Sequence, residues 1–249
     1  MLHRAGASHL GSSLSIVEML SSMYESVDCN KIRSGTRDRD RIFVSKGHAA
    51  AATYAVMAHS GILPMESLET YHLENSALTG HVNHHVPGVE HSTGALGHGL
   101  NVAVGCAYGL KNKYPTHTPK VLVLCGDGEI QEGSVWEGLM FAAHHSLSNL
   151  AVLIDDNQIS SITSTHEVLD LRPYRTKLEA FGFSSSEVDG HDVAAMKATI
   201  ESGWKDPRPK ALVCRTVKGK GVSFAENQPI WHYRTLNDAL LEEAKASLA

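Results

Sequence analysis

Several features are scarce in this 249-residue sequence, and each scarcity excludes a class of protein. Lys and Arg number 22 against 27 Asp and Glu, so a formal net charge of −5 leaves no basic footprint for nucleic acid. No apolar run approaches the roughly 20 residues of a membrane-spanning helix, and no secretory apolar segment opens the chain. Repeats and low-complexity tracts are missing. The four cysteines have no metal-site spacing, which predicts reduced thiols in a cytoplasmic protein.

The composition is that of a globular protein, with 42% hydrophobic and 20% charged residues. It predicts one α/β domain over 1–249, although two small domains remain open. Apolar runs that alternate with helical segments predict a doubly wound, mostly parallel sheet of about five strands with helices on both faces. The predicted strands lie at 41–45, at the starts of 120–133 and 150–159, at 185–188 and at 210–216. The predicted helices span 14–27, 46–61, 64–73, 96–111, 134–146, 173–181, 192–204 and 236–248.

Two polar motifs end neighbouring strands of this predicted sheet. Gly126-Asp127-Gly128 follows the first apolar run, and Asn157 follows the second about thirty residues later. The intervening helix makes a right-handed βαβ unit, whose strand ends open on the same edge of a parallel sheet. A carboxylate and an amide oxygen suit Mg²⁺, and the glycines let backbone N–H groups approach an anion. Helix capping by Asp127 and an Asx turn at Asn157 are the simpler alternatives.

Three other segments carry polar residues with less definite assignments. Residues 78–99 are rich in His and Gly and have no periodicity, which is typical of a functional loop, whereas 159–168 is predicted to be a flexible surface loop. The Lys218–Gly221 run fits either an anion clamp or a solvated turn. Of Asp155 and Asp156, one is expected to cap or to face solvent, and neither is assigned to a metal.

With these residues in place, the chain resembles the thiamine-diphosphate-binding half of transketolase. Besides the Gly-Asp-Gly and asparagine pair, five ordered motifs match: GASHLGSSLS from Gly6, SKGHAAAATYAV from Ser45, LTGHVN from Leu78, PGVEHSTGALGHGL from Pro87, and DGHD at Asp189. One Gly-Asp-Gly is a weak signal, and five ordered motifs are a strong one. A complete transketolase is more than twice as long, so the resemblance implies a separate N-terminal subunit, in which a leading helix is missing or dispensable.

The resemblance also implies roles for individual residues. The Mg²⁺ ligands are Asp127, Asn157 and the carbonyl of Ile159. Gly126, Gly128, His48 and His232 face the diphosphate, and Gly94, Ala95 and Leu96 approach the aminopyrimidine. His9, His81 and His232 line the channel to the thiazolium carbon. Glu132 matches the acidic residue that links the two cofactor sites of the assembly.

Imidazoles suit the implied chemistry, because ketol transfer moves protons on and off sugar hydroxyls near working pH. In the family, the glutamate that activates the aminopyrimidine and the arginines that hold sugar phosphates come from the other half of the enzyme. We therefore expect a pyrimidine-binding C-terminal partner subunit in an α₂β₂ assembly, with an interfacial role left open for helix 236–248. The alternatives are another thiamine-diphosphate enzyme acting on a 2-oxo acid, and a non-catalytic cofactor-binding regulatory subunit.

Overall fold

The computed structural model describes residues 1–248, which form a five-stranded, all-parallel sheet with helices on both faces. The strands are β1 (Arg41–Val44), β2 (Val121–Gly126), β3 (Leu150–Asp156), β4 (Ser184–Asp189) and β5 (Lys210–Arg215). The helices are α1 (Leu10–Leu14), α2 (Val17–Glu25), α3 (Cys29–Ser34), α4 (Ala50–His59), α5 (Gly99–Lys113), α6 (Gly133–His144), α7 (Thr165–Leu169), α8 (Tyr174–Ala180), α9 (Val193–Gly203) and α10 (Asp238–Ser247). Short 3₁₀ turns occur at Gly47–Ala49, Met65–Thr70, Glu129–Gln131 and Pro229–His232. The predicted α/β architecture is confirmed.

The strand order is β1-β2-β3-β5-β4, so β2 and β3 are both interior strands. Every residue of β1, β2 and β3 is buried, whereas in β4 only Ser185 is buried, as expected of an edge strand. Along β2, Leu122 and Leu124 belong to one apolar core, while Val121, Val123 and Cys125 belong to the core on the opposite face. Because successive side chains of a strand point to opposite faces of the sheet, this one apolar strand packs against both helical layers.

Different helices pack on the two faces of the sheet. One core contains buried side chains of α2, α4 and α9, and the other contains those of α5, α6 and α8. Asp192 caps α9, because its carboxylate accepts a hydrogen bond from the N–H of Ala195. Within residues 1–248, none of the helices combines the length and the apolar composition that crossing a bilayer requires. All four cysteines are free thiols; Cys125 and Cys214 are buried.

Two local predictions are wrong. The helix expected at 14–27 is divided into α1 and α2, and it starts at Leu10 without a side-chain cap. Ser12 and Ser13 in α1 are buried, and Ser15 donates to the carbonyl of Ser12 and to the carboxylate of Asp155. The loop expected at 159–168 contains the start of α7, which Ser164 caps through the N–H of Glu167. In the first segment, tertiary hydrogen bonds outweigh local helix propensity. In the second, a local helix cap stabilises a short helix within the predicted loop.

Sequence reasoning did not find α3, although Asp28 caps it in a regular way by accepting from the N–H groups of Asn30 and Lys31. Its C-terminus is closed by Gly35 at φ 67°, the left-handed conformation that glycine adopts freely. An Asp that precedes a short segment closed by a Gly is the signal that could have found this helix.

Candidate cofactor and metal site

A cavity of about 450 Å³ opens at the carboxyl ends of β1, β2 and β3. Ligands of parallel α/β sheets bind at this edge. All but one of the residues predicted for the site line this cavity: His9, His48, His81, Gly94, Leu96, Gly126, Asp127, Gly128, Glu132, Asn157, Ile159 and His232. The exception is Ala95, which is exposed on the same loop. The structure thus brings together residues from the two ends of the chain, from His9 to His232.

Asp127 lies directly after β2 and is only 2% exposed. Its Oδ1 accepts a hydrogen bond of 2.8 Å from the N–H of Gly128, and its Oδ2 accepts one of 2.6 Å from the N–H of Gln158. Burial, together with the neighbouring Asp155 carboxylate, raises the pKa of Asp127 to about 7. A carboxylate that is this difficult to ionise in the bare protein is stabilised strongly by a nearby cation.

The other two predicted metal ligands lie in the turn after β3. The carboxamide oxygen of Asn157 accepts from the N–H of Ile159 at 3.0 Å, and its Nδ2 donates to Oδ2 of Asp155 at 2.8 Å. Gln158, between them, has a left-handed φ of 64°, and such backbone strain is concentrated at functional sites. The carbonyl oxygen of Ile159 accepts a hydrogen bond of 3.1 Å from the ammonium group of Lys218.

These donors fit Mg²⁺. One carboxylate, one carboxamide oxygen and one carbonyl leave room for phosphate oxygens and water, which is how Mg²⁺ is usually bound in proteins. Residues 1–248 contain no cluster of three His, Cys, Asp or Glu side chains that could hold a metal, so a zinc-type centre has no candidate in that range.

Four imidazole rings lie together in the cavity. The ring of His9 lies 5.0 to 5.6 Å, between ring centres, from those of His48, His81 and His232. Burial, with Lys218 and other nearby imidazoles adding to it, lowers the pKa of His9 to about 4 and that of His232 to about 3. Burial lowers the pKa of His48 as well. These three rings are therefore neutral near pH 7, and they act as hydrogen-bonding groups and not as cations.

The backbone fixes these histidines in place. His9 has a left-handed φ of 73°, and its N–H donates to the carbonyl of His232 at 3.0 Å, which joins the two ends of the chain. The N–H of Val82 donates to the carbonyl of Gly47 at 2.9 Å, which ties the loop of His81 to the turn of His48. The functional loop predicted at 78–99 is thus anchored to the end of β1.

Lys218 is a site residue that sequence reasoning left undecided. Its side chain is among the most completely buried in residues 1–248, and its ammonium donates to the carbonyl of Ser160 at 2.6 Å and lies 3.3 Å from Nδ1 of His232. Burial and the nearby Lys46 lower its pKa to about 8. The solvated turn is therefore wrong for Lys218, although Lys220 is exposed. Lys218 and Lys46, and not the imidazoles, supply positive charge in the cavity.

One further expectation is wrong. Asp155 and Asp156 are 0% and 1% exposed, so neither faces solvent as expected for one of them, and neither caps a helix. Their alternate positions at the end of a fully buried strand send both side chains into the interior. Glu132 is exposed at the start of α6 in the single chain.

Glu129, three residues before Glu132, was not singled out by the sequence. It is 1% exposed and accepts from the N–H groups of Gly97 (3.0 Å) and Gly126 (3.2 Å) and from the hydroxyl of Ser45. Ser45 follows β1, Gly97 precedes α5 and Gly126 ends β2. Glu129 therefore connects the three segments that border the cavity.

Comparison with known proteins gives matches over nearly the whole chain. Residues 1–249 match the family described as "Transketolase, thiamine diphosphate binding domain". The chain is 41% identical over 228 residues to one of the subunits of the apulose-4-phosphate transketolase of Actinobacillus succinogenes, covering 91% of this chain and 82% of that one. It is 33% identical over 248 residues to a 6-deoxy-6-sulfo-D-fructose transketolase subunit of a Clostridium species, covering 98% and 90%.

Solved structures show the same relationship. Transketolase from Leishmania mexicana superposes with a TM-score of 0.87 at 28% identity, over 99% of this chain and 39% of that one. The chain thus spans about two-fifths of the length of the solved transketolase chains that it matches.

Proposed function

The chain belongs to the transketolase family, as its thiamine-diphosphate-binding domain, and on that premise we propose that it is the N-terminal subunit of a two-component transketolase. It would move a two-carbon ketol unit from a ketose, usually phosphorylated, to an aldose. Relatives named as transketolase subunits, of which this chain covers 82% to 90%, support a subunit of this size. They do not favour the alternative reaction on a 2-oxo acid.

The observation that carries this proposal is the pairing of two strand ends around one set of oxygen ligands. Asp127, Asn157 and the carbonyl of Ile159 would hold Mg²⁺, and the ammonium of Lys218, the N–H of Gly128 and His48 would face the diphosphate. Thiamine diphosphate, when bound, supplies the nucleophilic carbon and the electron sink for ketol transfer. Gly94, Ala95 and Leu96 would approach the aminopyrimidine through their backbone.

The neutral imidazoles would exchange protons with the sugar substrate. With pKa values lowered by burial, His9 and His232 are hydrogen-bond acceptors as well as donors near pH 7, and His81 lies at the exposed rim beside them. Such groups can take a proton from a sugar hydroxyl and return it to an oxygen that develops negative charge. Neutral rings also let the sugar approach without bringing additional positive charge next to Lys218.

A partner subunit is required in this proposal, because the family places the activating glutamate and the phosphate-binding arginines in the other half of the enzyme. The paired helices α5 and α6 support an interface, since their outer faces expose apolar side chains that range from 39% to 53% in exposure: Val102, Tyr108, Phe141 and Met140. Glu132 lies on the exposed start of α6, where an acidic residue could reach a second cofactor site. We propose an α₂β₂ assembly, in which such faces are buried, and a cytoplasmic location, which the free cysteines support.

The test is reconstitution. Purified alone, with thiamine diphosphate and Mg²⁺, the chain should transfer no ketol unit; mixed with a C-terminal transketolase subunit, it should do so. Robust transfer without a second polypeptide would refute partner dependence. Release of carbon dioxide from a 2-oxo acid by the pair would refute ketol transfer. If Asp127→Ala leaves the cofactor affinity of the pair unchanged, the predicted metal site is wrong and a non-catalytic binding subunit is favoured.

A further inference from the structure

Asp155, the sixth residue of β3, is the centre of a buried hydrogen-bond network beside the proposed metal site. Its Oδ2 accepts from Nζ of Lys46 at 2.5 Å, from Nδ2 of Asn157 at 2.8 Å and from Oγ of Ser15 at 2.9 Å. Its Oδ1 accepts from the hydroxyl of Thr216. The four partners come from four separate segments: the residue after α1, the turn after β1, the turn after β3 and the residue after β5.

Asp155 does not line the cofactor cavity, whereas Asn157 and Lys46 do. Both of its carboxylate oxygens accept hydrogen bonds from protein groups, so its influence on the ion passes through these neighbours. The side chains of Lys46 and Asp155 are 3% and 0% exposed. A carboxylate buried so deeply is sustained by a close opposite charge together with further hydrogen bonds, and both are present here.

An ionised carboxylate only accepts hydrogen bonds, and this decides the orientation of Asn157. The amide nitrogen of Asn157 must face Asp155, because a flipped amide would set two oxygens against each other. The carboxamide oxygen is therefore fixed on the other side, where it accepts from the N–H of Ile159 within the turn that lines the cavity. Without the carboxylate, only the hydrogen bond from the N–H of Ile159 would orient the amide.

We propose that Asp155, held by Lys46, is the positioning residue of the metal site, which fixes the carboxamide oxygen of Asn157 toward the ion. This inference rests on the proposed function, because it assumes that Asn157 is a ligand. Residues that orient metal ligands typically change metal affinity by about 10- to 100-fold when they are replaced.

The same network also joins four segments, so a purely structural role must be separated from positioning. Asp155→Leu alone removes the acceptor and a negative charge near the ion and leaves Lys46 without its partner; Asp155→Asn would keep an amide oxygen that can accept from Nδ2 of Asn157. The double variant K46M/D155L removes one charge of each sign, so the net charge is unchanged. A structural role predicts that the double variant recovers both stability and metal affinity, whereas positioning predicts that only stability recovers.

The matched control is Asp156→Asn. Asp156 is as buried as Asp155, adjoins Asn157 directly and also carries a negative charge near Asp127. Neither of its carboxylate oxygens receives a hydrogen bond in residues 1–248, although the guanidinium of Arg215 lies 3.4 Å from one of them. Its replacement reproduces the loss of charge without disturbing the orientation of Asn157.

The experiment pairs the full chain with a C-terminal transketolase subunit and titrates the pair with Mn²⁺ at saturating thiamine diphosphate. Free Mn²⁺ is followed by electron paramagnetic resonance, and thermal unfolding is measured alongside. We expect D155L and K46M/D155L to weaken Mn²⁺ binding by about tenfold or more, and D156N by less than about threefold. Wild-type affinity in the double variant would overturn the positioning role while leaving the proposed function intact. If D155L fails to fold, the double variant decides. A wild-type pair that binds no Mn²⁺ with the cofactor would overturn the proposed site and this inference together.

Discussion

The carboxylate of Asp127 accepts a 2.6 Å hydrogen bond from the backbone N–H of Gln158, which connects the end of β2 to the turn that follows β3. The two predicted metal-binding segments are therefore joined directly in the protein itself. Gln158 keeps a left-handed φ of 64° at this point, and the bond to Asp127 helps to sustain that strained conformation.

Asp127→Asn should weaken metal binding and leave the chain folded. The pKa of Asp127 is raised to about 7, so its ionised form destabilises the bare folded chain, and this effect is complete above about pH 7 and disappears toward pH 4. An amide avoids this cost but can accept only one of the two backbone hydrogen bonds that the carboxylate accepts, so we expect the free energy of unfolding at pH 8 to change by no more than about 1 kcal/mol. Urea unfolding without metal and Mn²⁺ titration with thiamine diphosphate measure the two effects. A variant that is both less stable and fully metal-binding would contradict the assignment.

Lys218→Met should weaken thiamine diphosphate binding by about 10- to 100-fold, because the buried ammonium of Lys218 supplies positive charge beside the proposed diphosphate position. Lys220→Met is the control, since Lys220 is exposed two residues away. Cofactor titration followed by intrinsic fluorescence measures both. Equal affinities in the two variants would show that Lys218 does not contact the cofactor.

The imidazoles of His9 and His232 should make the folded chain sensitive to acid. Their pKa values are lowered to about 4 and about 3, while an unfolded histidine titrates near 6.5, so the unfolded chain binds more protons between these values. Stability is therefore lost as the pH falls from about 6.5 toward 4. We expect H9N/H232N to lose about 1 to 2 kcal/mol less than wild type over that interval.

Urea unfolding at several pH values from about 4 to 7 tests this acid sensitivity, and His85→Asn, at an exposed loop histidine, is the control. If the double variant and wild type follow parallel curves, the rings are not held neutral by the fold.

Gly47→Ala should destabilise the chain by about 2 kcal/mol or more and displace the histidine-rich loop. A Cβ at Gly47 would lie closer than 3.0 Å to the backbone carbonyl of Thr93, which is too close for any real contact. Gly105→Ala is the matched control, because a Cβ there meets nothing within 4 Å and the site is inside helix α5, where Ala is favoured by about 1 kcal/mol. Thermal unfolding should move in opposite directions for the two variants.

The sequence alone determined the layered α/β architecture and the edge of the sheet at which the site lies. Apolar runs short enough to be strands, separated by helix-length segments, permit few other arrangements. Because parallel strand ends meet at one edge, Asp127 and Asn157 were predicted to be neighbours from their spacing and positions, and the hydrogen bond between Asp127 and the residue after Asn157 agrees with this. The ordered motifs predicted the family, which comparison confirms.

Tertiary structure decided what local patterns could not express. The strand order, with β5 between β3 and β4, follows from packing among distant segments. The burial of Lys218, the neutrality of His9 and the four bonds to Asp155 depend on which chain segments enclose each group, and solvation sets both charge state and hydrogen bonding. A sequence pattern gives a residue's type and the face of the helix or strand on which it lies. The charges and hydrogen-bonding groups that surround the residue are set only by the folded structure.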